Sequence, residues 1–404
     1  MSNKNLFQSV TLAPRDPILG LNEAFAAETR PNKVNLGVGV YFDADGKIPL
    51  LKAVKIAEEQ RVKLALPRGY LPIDGLKKYN EGVQNLLFAH GENAELLTQN
   101  RVVTVQSLGG TGALKLGADF IKRNVAPNAT VYISDPTWVN HKNIFADAGF
   151  AVKTYAYYDA ETRGVNFAAL QQDIQKMQPN DIILLHACCH NPTGADLSAE
   201  QWQQIVNLCK ERQIIPFLDM AYQGFADGIA EDALALNLFA KAGLSFFISS
   251  SFSKNFSMYG ERVGALSVVT QSKDDSERVL SQLKVVVRTN YSNPPTHGAA
   301  LIAEILHSSE LRKIWEDELA QMRDRIRKMR RNLMVSIDAT NCQQDFDFIT
   351  VQRGMFSYTG LSAEQVERLK KEFAIYAVSS GRICMAALNT KNVGYVAESI
   401  AAVL

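Results

Sequence analysis

Lys254 follows a run of apolar and hydroxyl residues (244–250) in the string Ser251-Phe252-Ser253-Lys254-Asn255. A lysine buried there, or held beside another cation, sheds its proton more easily and becomes a nucleophile toward carbonyls. An ordinary exposed lysine is the plainer alternative. Arg262 is close enough in the chain to return to the same pocket and grip a phosphate. Asp219 closes another apolar run, 214–219, and Tyr222 follows it. A carboxylate at the end of a buried strand is costly unless a cation or hydrogen-bond donors meet it. A metal ion, a ribose hydroxyl and a protonated ring nitrogen all suit it.

Three further strings also follow apolar runs. Ser107-Leu108-Gly109-Gly110-Thr111-Gly112 opens the helical pattern 113–123. Free backbone N–H groups and the positive helix end there suit a phosphate, although tight strand–helix packing needs the same glycines. The string is neither G-x-G-x-x-G nor a Walker A sequence. Asp135-Pro136-Thr137-Trp138-Val139-Asn140-His141 offers a flat indole, either as a stacking platform or as a loop anchor. Cys188-Cys189-His190-Asn191-Pro192-Thr193-Gly194, with His186 before it, resembles no standard zinc spacing. Its Asn191-Pro192 pair signals a turn and permits a cis bond. A nucleophilic lysine, a strand-end acid, a tyrosine, a flat ring and a phosphate cradle are together the parts that pyridoxal phosphate requires.

The elements that would carry these residues can also be read. Apolar runs at 101–106, 130–134, 181–186, 214–219, 244–250 and 264–269 have the composition of parallel strands covered on both faces, with amphipathic stretches between them. The alternation implies an α/β fold with a doubly wound sheet, whose ligands sit at the carboxyl ends of the strands. Further on, Leu311, Trp315, Leu319, Met322, Ile326, Met329 and Leu333 form one apolar stripe on a long helix. The basic residues between Arg323 and Arg331 read as its solvated face. Ser362-x-x-Gln365 opens a second helix as a capping box. A smaller α+β domain is expected from the C-terminal part.

The 404 residues carry 43 Lys and Arg against 42 Asp and Glu, so no general field favours a nucleic acid or an anionic membrane. Five cysteines argue against a disulfide framework and for a reducing cytoplasm. No apolar stretch reaches membrane-spanning length, and no signal peptide or metal site is expected.

With the strings Ser251-Phe252-Ser253-Lys254, Asn191-Pro192-Thr193-Gly194 and Asp219-x-x-Tyr222 in this order, the chain resembles the fold type I, class I pyridoxal-phosphate aminotransferases of the aspartate/aromatic group. The resemblance runs from Asp16-Pro17-Ile18-Leu19 to Ser379-Ser380-Gly381-Arg382. It implies a large, mostly parallel sheet domain (49–321), a small α+β domain (15–48 and 322–404) and an N-terminal arm (1–14). It implies that Lys254 is the Schiff-base lysine and proton shuttle. Asp219, backed by His141, would partner the pyridinium nitrogen, and Asn191 and Tyr222 would bind the ring hydroxyl oxygen. Trp138 would stack on the ring, and Gly110, Thr111, Ser251 and Arg262 would hold the phosphate. Tyr70 would reach the phosphate of a neighbouring subunit, which implies a homodimer with shared active sites. Arg382, with Gly39, Asn191 and Trp138 nearby, would clamp the substrate α-carboxylate, and Arg288 would cross from the partner to a second carboxylate.

Arg288 suits aspartate and glutamate. Phe42, Ile48, Gly69 and the string Gly354-Met355-Phe356-Ser357-Tyr358-Thr359-Gly360 resemble aromatic members, whereas Thr111 and Asn293 resemble aspartate members. The combination implies transamination of phenylalanine, tyrosine and tryptophan as well as aspartate and glutamate, with 2-oxoglutarate as acceptor. The alternative is an aspartate aminotransferase with little aromatic activity. A non-catalytic binding module would need a DNA-binding extension that the sequence does not display. A dehydrogenase would need the missing G-x-G-x-x-G. Another pyridoxal-phosphate reaction would not call for both Arg288 and Arg382.

Overall fold

The apolar runs pair into one seven-stranded sheet in the computed structural model, which describes residues 6–13, 17–89 and 93–404. Its strands are β1 (Val102–Leu108), β2 (Thr130–Asp135), β3 (Ala151–Ala156), β4 (Ile182–His186), β5 (Ile215–Met220), β6 (Phe246–Ser251) and β7 (Val263–Val269). They lie in the order β1-β7-β6-β5-β4-β2-β3. Pairing is parallel from β6 through to β3. The exception to the expected parallel set is β7, which runs antiparallel to both β1 and β6. Only residues 252–262 join β6 to β7, and a parallel return needs a crossover of a dozen or more. The strand that the sequence did not reveal is β3. It lies at the edge with Ala151, Lys153 and Thr154 exposed, and so lacks a continuous apolar run.

Alternate side chains of the central strands serve opposite faces, as the two-residue period requires. Ile183, Leu185, Leu218 and Ile248 belong to one apolar cluster, with Trp202 and Phe239. Ile182, Leu184, Phe217 and Phe247 belong to another, with Leu114, Ile121, Val286 and Val287. The last four come from α1 (Gly109–Asn124) and α3 (Lys273–Asn290), while α2 (Asn140–Asp147) adds Ile144 and Phe145 to the same cluster. Each fully buried Leu, Ile or Phe contributes roughly 1.5–3 kcal/mol. This two-sided burial makes the sheet a rigid mount for the residues at its edge.

The predicted stripe is a single helix, α4 (Ser309–Asp338), with Leu311, Trp315, Leu319, Met322, Ile326, Met329 and Leu333 all buried. It runs unbroken through positions 321 and 322. Its basic face is not wholly solvated. Arg330 falls four residues after Ile326, on the buried side, and is 1% exposed. Arg323 and Arg327 donate to the carbonyls of Gly224 and Ala226. Around the C-terminal part of α4, Val34–Asn35 pairs parallel with Ile375–Tyr376, and Phe356–Tyr358 pairs antiparallel with Arg382–Cys384. Helix Ala363–Phe373 carries the expected capping box, with both Ser362 and Gln365 bonds formed. Of the arm expected at 1–14, only residues 6–13 are described, and Asp16 also lies outside the described residues. No described helix is long and apolar enough to cross a membrane.

Candidate active site

Strand register brings the chemistry together. Asp219 on β5 pairs with His186 on β4 and with Ser249 on β6, so three polar side chains meet along the carboxyl ends of the parallel strands. Asp219 is almost fully buried. Its Oδ1 accepts from Ser249 Oγ at 2.5 Å, and its Oδ2 accepts from His141 Nε2 at 3.1 Å. The first turn of α2 supplies His141, whose Nδ1 meets Thr137 Oγ1 at 2.8 Å, fixing the ring. Burial works to raise the Asp219 carboxyl. The hydrogen bond and field of His141 and the Ser249 hydroxyl outweigh it, so the group lies below the usual carboxylate range and is ionised. Burial pushes the His186 ring down to about 3, with the field of His141 acting the same way and Asp219 opposing, so this neighbour is neutral.

Lys254 lies just past β6, with its Nζ 5.1 Å from the centre of the Tyr222 ring. The side chain lines the cavity and is half-buried. Burial lowers its amine to about 8, Asp219 opposes that shift and Arg262 adds to it. Burial likewise raises the Tyr222 phenol, with Arg382 pulling the other way.

A cavity of about 230 Å³ lies between these groups, and its lining includes Gly39, Gly110, Thr111, Trp138, Asn191, Asp219, Tyr222, Ser251, Lys254, Arg262 and Arg382. Trp138 stands edge-on to His141, ring centres 5.2 Å apart. Arg262 reaches in from the rim in a left-handed backbone conformation, with Nη1 donating to the Tyr259 carbonyl at 2.9 Å. The cradle beside it depends on missing side chains. A Cβ at Gly109, where φ is +69°, would stand 2.7 Å from Arg262 Nη2, and one at Gly110 would stand 3.0 Å from Ser251 Cβ. Arg382 is buried, lies 4.3 Å over the Phe356 ring and donates to Gly37 O and Asn191 Oδ1. Its Nε has no partner, and none of its hydrogen bonds reaches a carboxylate.

The cavity also includes residues to which sequence reading gave no place in the site, among them His186 and Tyr259. His186 was visible only as a strand-end histidine. Tyr259 carries no local signal; it accepts from the Tyr41 backbone N–H at 2.9 Å, a contact that only the fold creates. Two expected residues are not brought to this cavity. Tyr70 is 94% exposed, and Arg288 is exposed on α3, where Nη1 donates to Ser292 Oγ. Phe42 lines a separate groove with Phe25 and Tyr395, and Ile48 is half-exposed at the surface. The Asn191–Pro192 bond is cis, as the turn signal allowed, and so is Asp135–Pro136. His141, His186 and Asp219 offer ligand atoms close enough to share a metal ion, but His141 and Asp219 already satisfy one another.

The sequence of the family described as aminotransferase class I and II matches residues 31–400. This chain belongs to that family. It is an aminotransferase, and its cofactor is pyridoxal 5'-phosphate. It is 60% identical to the aspartate aminotransferase of Pseudomonas aeruginosa over 400 residues, covering 99% of this chain and 100% of the relative. It is 50% identical to the aromatic-amino-acid aminotransferase of Escherichia coli over 402 residues, again covering 99% and 100%. The crystal structure of the aromatic-amino-acid aminotransferase from Burkholderia pseudomallei, covalently bound to pyridoxal phosphate, superimposes with a TM-score of 0.97 at 60% identity, covering 99% of this chain and 100% of that one. The aminotransferase thus has the fold type I architecture, and its cavity fits the cofactor. The glycine-made cradle beside Arg262 admits a phosphate, the ionised Asp219 suits a protonated ring nitrogen, and the Arg382 guanidinium, whose Nε lacks a partner and whose bonds reach no carboxylate, suits one.

Proposed function

We propose that the enzyme transfers amino groups between 2-oxoglutarate and both aromatic and dicarboxylic amino acids, in ping-pong order. The observation that carries the catalytic reading is the set of charges in one cavity: an amine lowered to about 8 on Lys254, an ionised carboxylate on Asp219 and a buried, carboxylate-free cation on Arg382. When bound, pyridoxal phosphate supplies an electron-withdrawing ring that acidifies the substrate Cα–H. Lys254 holds the cofactor covalently at rest. Once substrate displaces it, its free amine would take the Cα proton and deliver it to the cofactor's aldehyde carbon on the same face. Asp219 keeps the proton on the ring nitrogen, and His141 and Ser249 keep Asp219 ionised and aimed. Tyr222 and Asn191 bind the ring hydroxyl oxygen, and Trp138 covers the ring. Gly110, Thr111, Ser251 and Arg262 hold the phosphate at the N-terminus of α1. Arg382, beside Gly39 and Asn191, takes the α-carboxylate in a bidentate grip.

Tyr70 and Arg288 serve the site of a second copy of the chain, which makes the working unit a homodimer. Their exposure in the single chain supports this assignment. The small domain comprises 15–48 and 322–404 and the large domain 49–321, hinged within the continuous α4. The enzyme works in the cytoplasm. The names of its relatives, aspartate aminotransferase at 60% and aromatic-amino-acid aminotransferase at 50% identity, support dual specificity.

Single half-reactions of the holoenzyme test the substrate range, with the cofactor's visible band followed after aspartate or phenylalanine is added. Fast decay with both is expected. Decay with aspartate alone would leave the narrower aspartate enzyme.

A further inference from the structure

A second cavity, about 380 Å³, opens between α4 and residues 350–354, against Phe225 and Ala226. Its charged lining consists of four arginines, Arg327, Arg330, Arg331 and Arg353, and no acid. Arg330 is a buried cation whose hydrogen bonds go to the carbonyls of Ile349, Gly354 and Phe356 and to the Ser357 hydroxyl, none to a carboxylate. Burial draws its guanidinium down to about 10, the mark of a charge that its surroundings under-compensate. Arg331 makes no hydrogen bond or ion pair among the described residues. Arg327 and Arg353 share one acceptor oxygen, Oδ1 of Asp227, at 2.6 and 2.5 Å. Gln352 also lines the cavity. It is 4% exposed, and neither its amide oxygen nor its amide nitrogen has a partner. Arg327 also pairs with Asp324 at 4.0 Å, so four guanidinium groups answer to two part-exposed carboxylates, neither of which lines the cavity, around a space with an unsatisfied amide in its wall.

We propose that this cavity is a second ligand site of the enzyme, for a small, multiply charged oxyanion such as a phosphate ester or a polycarboxylate. The planar fork of arginine matches phosphate and carboxylate oxygens in pairs, and the arginines can reach one ligand from both α4 and the 350–354 segment. The volume is within the range of small-molecule pockets, larger than a single inorganic ion needs. Its position gives the ligand a lever on the catalytic cavity. Arg323 and Arg327 hold the carbonyls of Gly224 and Ala226, on the loop that begins at Tyr222. The same loop is tied by Asp232, which accepts from the N–H groups of Gly224, Ala226, Asp227 and Gly228. A ligand that draws Arg327 and Arg353 away from Asp227 changes the tension on that loop.

The test uses the holoenzyme at constant ionic strength, with the cofactor's visible band recorded at each addition to report any binding in the catalytic cavity. Inorganic phosphate, glycerol 3-phosphate and citrate are titrated separately by calorimetry against the wild type, Arg331→Gln and the double variant R327Q/R331Q. At least one probe is expected to bind with one equivalent per chain, about fivefold more weakly in Arg331→Gln and at least tenfold more weakly in the double variant. Preference for glycerol 3-phosphate or for citrate identifies the class. Arg331 is exposed and unpaired, so its variant keeps the test valid if the double variant folds poorly. Absence of saturable binding by all three probes, or equal affinity in wild type and Arg331→Gln, would overturn the proposal.

Discussion

Replacing Arg382 by lysine keeps the positive charge and removes the fork. The native guanidinium is buried, lies over the Phe356 ring and is oriented by Gly37 O and Asn191 Oδ1, which leaves its remaining donors for a ligand. A lysine offers a point charge that cannot satisfy those two acceptors and make two parallel bonds to a carboxylate as well. One lost charge-assisted hydrogen bond is worth roughly 1.5–3 kcal/mol. At about 1.4 kcal/mol per decade, that lowers kcat/KM by roughly 10- to 150-fold. Every amino-acid substrate carries an α-carboxylate, so the loss must be of similar size with aspartate and with phenylalanine. The assay is steady-state kcat/KM for both substrates, with the cofactor's visible band recorded to show that the cofactor stays bound. A loss below threefold, or one confined to aspartate, would refute the assignment of Arg382 to the α-carboxylate.

The contrasting variant is Arg288→Ala, which is expected to lower kcat/KM for aspartate by roughly 10²-fold or more through a missing charged partner while changing phenylalanine less than threefold; the same two-substrate assay reads it. In the cofactor-free protein, only the neutral Lys254 amine attacks the cofactor aldehyde. Recapture of pyridoxal phosphate should therefore rise with pH through about 8 and level off above it, measured as the rate of band recovery, and Asp219→Asn should move the inflection lower because Asp219 opposes the downward shift. His186 is held down to about 3, so between its ordinary value of 6.5 and about 3 the unfolded chain binds a proton that the folded protein refuses. Its contribution to stability is present above pH 6.5 and falls as the pH drops through that window, and His186→Gln should flatten the acid limb of a stability–pH curve. Gly109→Ala at a φ of +69° costs about 1–2 kcal/mol of fold stability, and its Cβ, 2.7 Å from Arg262 Nη2, displaces that guanidinium, which should weaken cofactor affinity about tenfold, the loss of roughly one charge-assisted hydrogen bond, by equilibrium titration.

The legible parts of the site were those with local causes. Lys254 and Asn191 each follow, and Asp219 ends, an apolar run that is unmistakable, because a strand buried on both faces tolerates few polar residues. Gly109 and Gly110 stood out because only glycine permits the approach of Arg262 and Ser251. The hidden parts depend on partners far along the chain. The edge strand β3 lacked a two-sided apolar pattern, and the direction of β7 was set by a connection too short for a crossover. Arg330 read as solvated because nearby arginines alternate with helix formers; its burial requires acceptors from residues 349–357, which no helical period announces. Phe42 and Ile48 marked an aromatic member by resemblance alone, and neither lines the cavity of its own chain.

The central claim is that Lys254 is the residue that carries the cofactor and moves the proton. Borohydride reduction of the holoenzyme, followed by peptide mapping, tests it most directly. The account predicts one pyridoxyl group per chain, on the peptide containing Lys254, with no label and no visible band in Lys254→Ala. A pyridoxyl group on another lysine of the wild type, with Lys254 recovered unmodified, would contradict it.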